Sequence, residues 1–306
     1  MQASEKIWHD GALVPWEQAT VHVTAHALHY GSSVFEGIRA YAFPNGPAVF
    51  RLEDHLKRLY TSCKIYRLEV PYTSEELGQA IKDTIRVNGH KACYIRPVVF
   101  RGSDTFNLVG HSCPVHTSII TMEMGQYLGP EALQKGVDVG VSSWNRMAPN
   151  TYPAAAKLGG QYVNSQFIAM EAAAHGYTEG IALSVSGYVS EGSGENIFLV
   201  QDGCLFTPPL GSSVLNGITR KSVVTLAKEM GLDVREELIP REMLYLADEL
   251  FFCGTAAEIT PIRSVDGIVV GEGGRGPITA RLMDAFFDIV QGRVPDRHGW
   301  LTPVTA

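Results

Sequence analysis

Several things are scarce in this chain of 306 residues. No stretch holds the roughly 18 consecutive apolar residues that a membrane helix needs, so no membrane partner is expected. Positive charge is in deficit: 25 Lys and Arg stand against 32 Asp and Glu, for a formal net charge of −7. Nucleic acid and anionic lipid require clustered basic residues, so neither is expected as a partner. Cysteine is sparse, odd in number and without a C-x-x-C pair: Cys63, Cys93, Cys113, Cys204 and Cys253. That argues against a disulfide framework and for a reducing, cytoplasmic setting. The opening residues, Met1-Gln2-Ala3-Ser4-Glu5-Lys6, lack a basic segment followed by an apolar one, so no secretory signal is expected.

What is present is an ordinary globular composition, 45% hydrophobic, in a length that suits two domains or one large one. Short strands are expected at Lys6–Trp8 and Val21–Val23, and a strand pair at Gly37–Tyr41 and Ala48–Phe50 across Pro44-Asn45-Gly46. A helix from about Glu53 to Tyr66 places Leu56, Leu59, Tyr60 and Cys63 on one face. A second begins at Thr73-Ser74-Glu75-Glu76, where hydroxyl and carboxylate can cap each other's amides. Strands follow at Cys93–Phe100 and Val115–Met122, then a linker-like stretch, Gly125-Gln126-Tyr127-Leu128-Gly129-Pro130. Beyond it, strands at Val137–Val141, Ile181–Val185, Ile197–Val200, Cys204–Phe206 and Leu250–Cys253 alternate with helices near 160–175, 219–230 and 278–290. The expected fold is α+β: a small domain over 1–123, a linker over 124–134 and a larger domain with a β core over 135–306.

Three segments carry chemistry. Ala154-Ala155-Ala156-Lys157-Leu158-Gly159-Gly160 sets a lysine among small residues. An amine there can attack an aldehyde. Ser190-Glu191-Gly192-Ser193-Gly194-Glu195-Asn196 follows a carboxylate with glycines, which let a backbone approach a flat ligand closely. Leu215-Asn216-Gly217-Ile218-Thr219-Arg220 is a turn running into a helix, with Thr219 the expected N-cap. The first amides of a helix lack internal partners and sit at the positive end of its dipole, which suits a phosphate. A lysine for a Schiff base, a carboxylate for a pyridinium and a helix start for a phosphate are the groups that pyridoxal phosphate needs.

Other signals are weaker. Gly271-Glu272-Gly273-Gly274-Arg275-Gly276 matches G-x-G-x-x-G after a possible strand, Val265–Val270. A dinucleotide fold would need a further strand and an acidic residue about 20 positions on, and no such strand follows. A surface loop is the favoured reading. His111-Ser112-Cys113-Pro114-Val115-His116 lacks a second ligand pair for zinc. His22, His26 and His29 have helical spacing without the glutamate of H-E-x-x-H. No metal is expected. Ser190 and Ser193 lie outside any G-x-S-x-G, so a hydrolase nucleophile is not expected.

The chain resembles the branched-chain amino-acid aminotransferases, pyridoxal-phosphate enzymes of fold type IV, along almost its whole length. The resemblance rests on His26-Ala-Leu-His-Tyr-Gly-Ser-Ser-Val-Phe-Glu-Gly-Ile-Arg39, Tyr94-Ile-Arg-Pro97, Ser142-Ser-Trp-Asn-Arg146, Ser190 to Asn196, Gly217-Ile-Thr-Arg220 and Gly254-Thr-Ala-Ala-Glu-Ile-Thr-Pro261. It implies a small α/β sandwich domain, a larger domain with a β-barrel-like core, and a homodimer or a hexamer. It implies that Lys157 holds the cofactor and shuttles the substrate proton. Glu191 pairs with the pyridine nitrogen, Tyr162 with the ring hydroxyl, and Leu215 packs on the ring. Arg58, Gly217, Ile218, Thr219 and Thr255 hold the phosphate. Ala256 and Ala257 offer amides to the substrate α-carboxylate beside Tyr94. Phe35, Tyr30 and Tyr127 line the side-chain pocket, where Arg96 receives the distal carboxylate of glutamate. The implied reaction moves the amino group of L-valine, L-leucine or L-isoleucine to 2-oxoglutarate in a ping-pong cycle. A D-amino-acid or amine aminotransferase, or an aminodeoxychorismate lyase, would keep this fold with another substrate. The chain departs from the family at Arg101–His111, where many members carry Gly-x-Gly-Val-Asn-Pro, and at Met124, where bacterial relatives often carry tryptophan. Both positions lie where substrate is enclosed.

Overall fold

A computed structural model describes residues 4–125, 127–129 and 131–304. The chain divides into two compact units: Met1–Met124 with Ala156–Gln161 and Ile289–Ala306, and Gly125–Ala155 with Tyr162–Asp288. The expected division at a single linker is therefore corrected, because two later segments return to the first unit. Around Lys157 the return is made by backbone hydrogen bonds. Phe35 N–H donates to Lys157 O (3.1 Å), Gly159 N–H to Ser33 O (2.8 Å) and Gly160 N–H to Gly31 O (3.1 Å). At the far end, strand Leu301–Pro303 pairs with Ala48–Phe50.

The first unit is built on an antiparallel sheet. Its strands run in the order Leu301–Pro303, Ala48–Phe50, Ile38–Tyr41, Cys93–Arg101, Val115–Met122, Lys6–His9, Ala12–Pro15, with Ser33–Phe35 also on Cys93–Arg101. Two helices cover it. Leu52–Tyr66 buries Leu52, His55, Leu56, Leu59, Ser62 and Cys63, a stripe with helical spacing. Ser74–Val87 buries Leu77, Ala80, Ile81, Thr84 and Ile85. It starts at the expected box: Thr73 Oγ1 accepts from Glu76 N–H (3.2 Å) and Glu76 Oε2 from Thr73 N–H (2.7 Å). These stripes and the inward residues Ile38, Ile95, Val99 and Ile119 make one core. The strand expected at Val21–Val23 does not form. Val21 and Val23 are exposed, and Ala12–Pro15 takes the place beside Lys6–His9.

The second unit holds a mixed, curled sheet in the order Val189–Gly192, Glu179–Leu183, Val137–Val141, Glu258–Val265, Glu249–Gly254, Asn196–Gln201, Cys204–Thr207, Val234–Glu236. Neighbours Val137–Val141 and Glu179–Leu183 run parallel, as do Val137–Val141 and Glu258–Val265. The central pair, Asn196–Gln201 and Glu249–Gly254, is apolar over Ile197–Val200 and Leu250–Cys253 and buried almost throughout, as strands covered on both sides must be. Phe198 and Phe251 stand in register there, their rings stacked 5.1 Å apart. Helices Tyr162–Ala174, Ile218–Glu229 and Pro277–Val290 accompany the sheet. The strand expected at Val265–Val270 is instead a hairpin: Glu258–Val265 turns at Asp266-Gly267 into Ile268–Val269. Of the expected linker, Gln126 and Pro130 lie outside the described residues.

Candidate active site

In the first unit Lys157 is half-buried, on a backbone held from both sides. Its N–H donates to Ser62 Oγ at 2.9 Å, its carbonyl accepts from Phe35, and an isolated bridge joins Val34 to Leu158. Glycine is required for this approach at position 31: its φ is 65°, and a Cβ there would stand 2.6 Å from Gly160 Cα. The Lys157 Nζ lies 4.9 Å from the centroid of the Phe35 ring. The Arg96 guanidinium lies 4.5 Å from the same centroid and donates from Nη2 to Tyr94 Oη at 2.6 Å. Lys157 and Arg96, far apart in sequence, thus both lie beside the Phe35 ring, and Tyr94 is bonded to Arg96. Arg96 Nε is buried without a protein partner, an unfilled donor beside an aromatic wall. The Tyr30 hydroxyl donates to Phe106 O at 2.9 Å.

Arg58 grips Glu36, from Nε to Oε1 at 2.6 Å and from Nη2 to Oε2 at 2.8 Å. His55 Nδ1 meets the same Oε2 at 2.8 Å. Glu36 is fully buried. Burial alone would raise its carboxyl, but the Arg58 charge and the hydrogen bonds from Arg58 and His55 outweigh that and hold it well below the usual carboxylate range. Burial pushes the His55 imidazole down, against the pull of Glu36. The grip on Glu36 fixes the orientation of the Arg58 guanidinium, a group whose N–H fork suits anions.

In the second unit Glu191 sits just past a register shift between strands Val189–Gly192 and Glu179–Leu183, where Val189 faces Leu183 but Glu191 faces Ala182. Such a bulge re-aims a side chain. The carboxylate is buried and held at both oxygens. Oε1 accepts from Arg146 Nη2 at 2.7 Å. Oε2 accepts from Asn196 Nδ2 at 3.1 Å and Leu215 N–H at 3.0 Å. Arg146 in turn reaches Asn164 Oδ1 and Ser165 Oγ, both at 3.2 Å, in the first turn of the helix that Tyr162 opens. Asn196 also donates to Leu215 O at 2.9 Å. Next along the chain, Gly217 is the N-cap of Ile218–Glu229 and has no side chain to cap the first turn. A Cβ there would lie 1.9 Å from Asn196 Oδ1. The N-cap expected at Thr219 is thus corrected, since Thr219 lies inside the first turn, buried. Thr255, Ala256 and Ala257 form the turn closed by the pair Gly254 and Glu258. A Cβ on Gly254 would contact Gly194 O (3.8 Å) and Glu195 Cγ (3.7 Å), so this turn borders the glycine loop. Tyr127 is half-exposed.

The residues around Glu191 and the start of Ile218–Glu229 fit a phosphorylated pyridine. A buried carboxylate is the group a ring nitrogen calls for, and a helix start without a side-chain cap is the kind of place that suits a phosphate. Sequence reasoning assigned no role to Glu36, His55, Arg146 or Asn196. Glu36, Arg146 and Asn196 lay within quoted motifs, but nothing local marked their partners. The glycine loop at 271–276 leads to a helix start that is already filled: Glu249 accepts from Ile278 N–H (2.9 Å) and Thr279 N–H (2.7 Å). A Cβ on Gly276 would lie 2.2 Å from Glu249 Cδ. The dinucleotide reading therefore has no free helix start to use. Among the described residues no helix is long and apolar enough to cross a membrane.

A family model described as amino-transferase class IV matches residues 33–265. A branched-chain-amino-acid aminotransferase of Salmonella typhimurium is 54% identical over 306 residues, covering 99% of this chain and 98% of that protein. One from Pseudomonas aeruginosa is 46% identical over 97% of each. Among solved structures, the Escherichia coli branched-chain amino acid aminotransferase superposes with a TM-score of 0.97 at 53% identity, covering 99% of this chain and 100% of that one. The Thermobaculum terrenum enzyme in its PLP holo-form gives 0.93 at 37% identity, covering 100% of each chain.

Proposed function

The chain belongs to the class IV aminotransferases, of fold type IV, and from that premise we propose that it moves the amino group of L-valine, L-leucine or L-isoleucine to 2-oxoglutarate in a ping-pong cycle with pyridoxal 5'-phosphate. The observation that carries the choice of substrate is the 54% identity, end to end, with branched-chain-amino-acid aminotransferases. The cofactor reading is supported by the Thermobaculum terrenum neighbour, solved in its PLP-form.

Pyridoxal phosphate, when bound, supplies the electron sink for a carbanion at the substrate Cα. In this reading Lys157 would hold the cofactor at its aldehyde carbon and would carry the proton from the substrate Cα. Such general acid–base work commonly contributes a factor of about 10²–10⁴. Glu191 holds the proton of the ring nitrogen, and Arg146 offsets its buried charge. Tyr162 hydrogen-bonds the ring hydroxyl and Leu215 packs on the ring. The amides after Gly217, at Ile218 and Thr219, hold the phosphate with Thr255 and Arg58. The amides of Ala256 and Ala257 bind the α-carboxylate, with Tyr94 beside it. Phe35, Tyr30 and Tyr127 wall the side-chain pocket, and Arg96 binds the distal carboxylate of glutamate through charge-assisted hydrogen bonds. One pocket then accepts an apolar side chain on the aromatic rings and a charged one on the guanidinium.

The working form in this reading is a homo-oligomer, at least a dimer, in the cytoplasm. Leu28, Phe106, Leu108 and Val109 are exposed apolar side chains, surface that association would cover. The test is a panel of L- and D-amino-acid donors with 2-oxoglutarate. Fast turnover of L-leucine, L-isoleucine and L-valine is expected. Strict preference for D-donors, or no transamination at all, would overturn the proposal.

A further inference from the structure

The tip of the hairpin between Lys6–His9 and Ala12–Pro15 carries side chains that aminotransferase chemistry does not use. His9 faces Ala12 in the register, so Asp10-Gly11 is a two-residue loop, with φ of 44° and 91°. Positive φ at both positions is what a type I′ turn demands. The turn lies against strand Val115–Met122. His9 faces Ser118, Asp10 N–H donates to Thr117 O at 3.0 Å, and Asp10 Oδ1 accepts from Thr117 N–H at 2.8 Å.

With Oδ1 fixed in this way, Oδ2 faces two imidazoles. His116 Nδ1 lies 2.5 Å from it and His9 Nε2 lies 3.6 Å from it. The three donor atoms lie within 4.8 Å of one another. The other nitrogen of His9, Nδ1, is 2.7 Å from Ser118 Oγ. A hydroxyl accepting there leaves the Nε2 lone pair turned to the cluster, the way an outer partner sets the tautomer of a ligating histidine. The three side chains remain between 24% and 32% exposed. Both histidines border an open pocket of about 160 Å³ that His22 and Ser103 also line.

We propose that His9 Nε2, Asp10 Oδ2 and His116 Nδ1 bind one divalent transition-metal ion, zinc above all, with water completing the coordination. Imidazole selects this class over magnesium and calcium, which prefer oxygen. Zinc bonds of about 2.0–2.2 Å place tetrahedral ligand atoms roughly 3.3–3.5 Å apart, close to the present separation of His9 and Asp10. The ion displaces the proton between Asp10 and His116, and that contact opens by about an ångström from 2.5 Å. Three ligands and an open position leave the site accessible from the pocket. A bound ion ties the hairpin to Val115–Met122 and stabilises the folded chain by linkage.

The test is titration of the whole holoenzyme with Co²⁺, read as ligand-field absorption in the visible, followed by displacement with Zn²⁺. One saturable equivalent is expected. H9Q and H116N each abolish it, and S118A weakens it about 10–100-fold. Zinc raises the thermal midpoint of the parent protein but not of H116N. A parent protein without a saturable band refutes the site, and so do His9 and His116 variants that keep the full band. If either histidine variant fails to fold, the parent spectrum and S118A still decide.

Discussion

Arg146 and Glu191 form a buried ion pair, Nη2 to Oε1 at 2.7 Å, with only 5% and 6% of their side chains exposed. They stand 45 positions apart. Each charge is tolerable in the interior because of the other, and removing one partner strands the second. Arg146→Met is expected to cost about 3–5 kcal/mol, the usual penalty for an orphaned buried charge. Urea unfolding measures it, and a loss below about 1 kcal/mol would mean that Glu191 does not depend on Arg146.

Lys157→Ala is expected to abolish steady turnover while the protein still folds. The ordering bonds around position 157 are made by backbone groups, Lys157 N–H to Ser62 and Phe35 N–H to Lys157 O, which alanine retains. Circular dichroism checks the fold and a coupled assay the rate. Full activity in the variant would remove Lys157 from the mechanism.

Gly217→Ala puts a methyl 1.9 Å from Asn196 Oδ1, so Asn196 must release Glu191 or the helix start must shift. Weaker cofactor retention is expected, seen as loss of cofactor absorbance on dialysis. Unchanged retention would show that the Asn196 contact does not matter to the site.

Glu249→Gln tests the helix cap behind the glycine loop. The glutamine amide keeps one acceptor oxygen and puts an NH₂ where the other stood, so one of the two bonds to Ile278 and Thr279 is lost, at an expected cost of about 0.5–2 kcal/mol. Neither the parent nor the variant is expected to bind a dinucleotide in calorimetry.

Acid is expected to destabilise the fold through depressed carboxyls. Glu36 lies well below its ordinary value of 4.5. Asp138 falls from 3.8 to about 2 through its bonds with Arg263 and Ser264 and the Arg263 charge. A carboxyl depressed in the fold contributes stability above its unfolded value and loses it as pH falls through the folded one. Burial lowers His55 from 6.5, so His55 favours the fold above that pH and opposes it below. Denaturation midpoints should therefore fall as pH drops from about 6.5 towards 2. Glu36→Gln should lower neutral stability and flatten the acid slope. Parallel slopes in the two proteins would contradict this origin.

Local pattern was legible where it had local causes. The stripe of Leu52–Tyr66 and the box at Thr73 could be read off neighbouring residues, because helical spacing and capping act within one turn. Lys157, Glu191 and the start of Ile218–Glu229 were marked by small residues and glycines that leave room for a ligand. Val21–Val23 was misread because a β-branched pair signals strand propensity but not a partner to pair with.

The order of residues by itself determined the amphipathic helices, the apolar central strands and the candidate chemistry of a lysine, a carboxylate and a helix start. Only the tertiary structure decided that residues 156–161 and 289–306 return to the first unit. It also decided that Arg146 neutralises Glu191, that Glu36 binds Arg58 and that Glu249 occupies the helix start behind a glycine-rich decoy. Buried charges must find partners wherever the fold brings them, and those partners lie 22 to 45 positions away, beyond the reach of any local period.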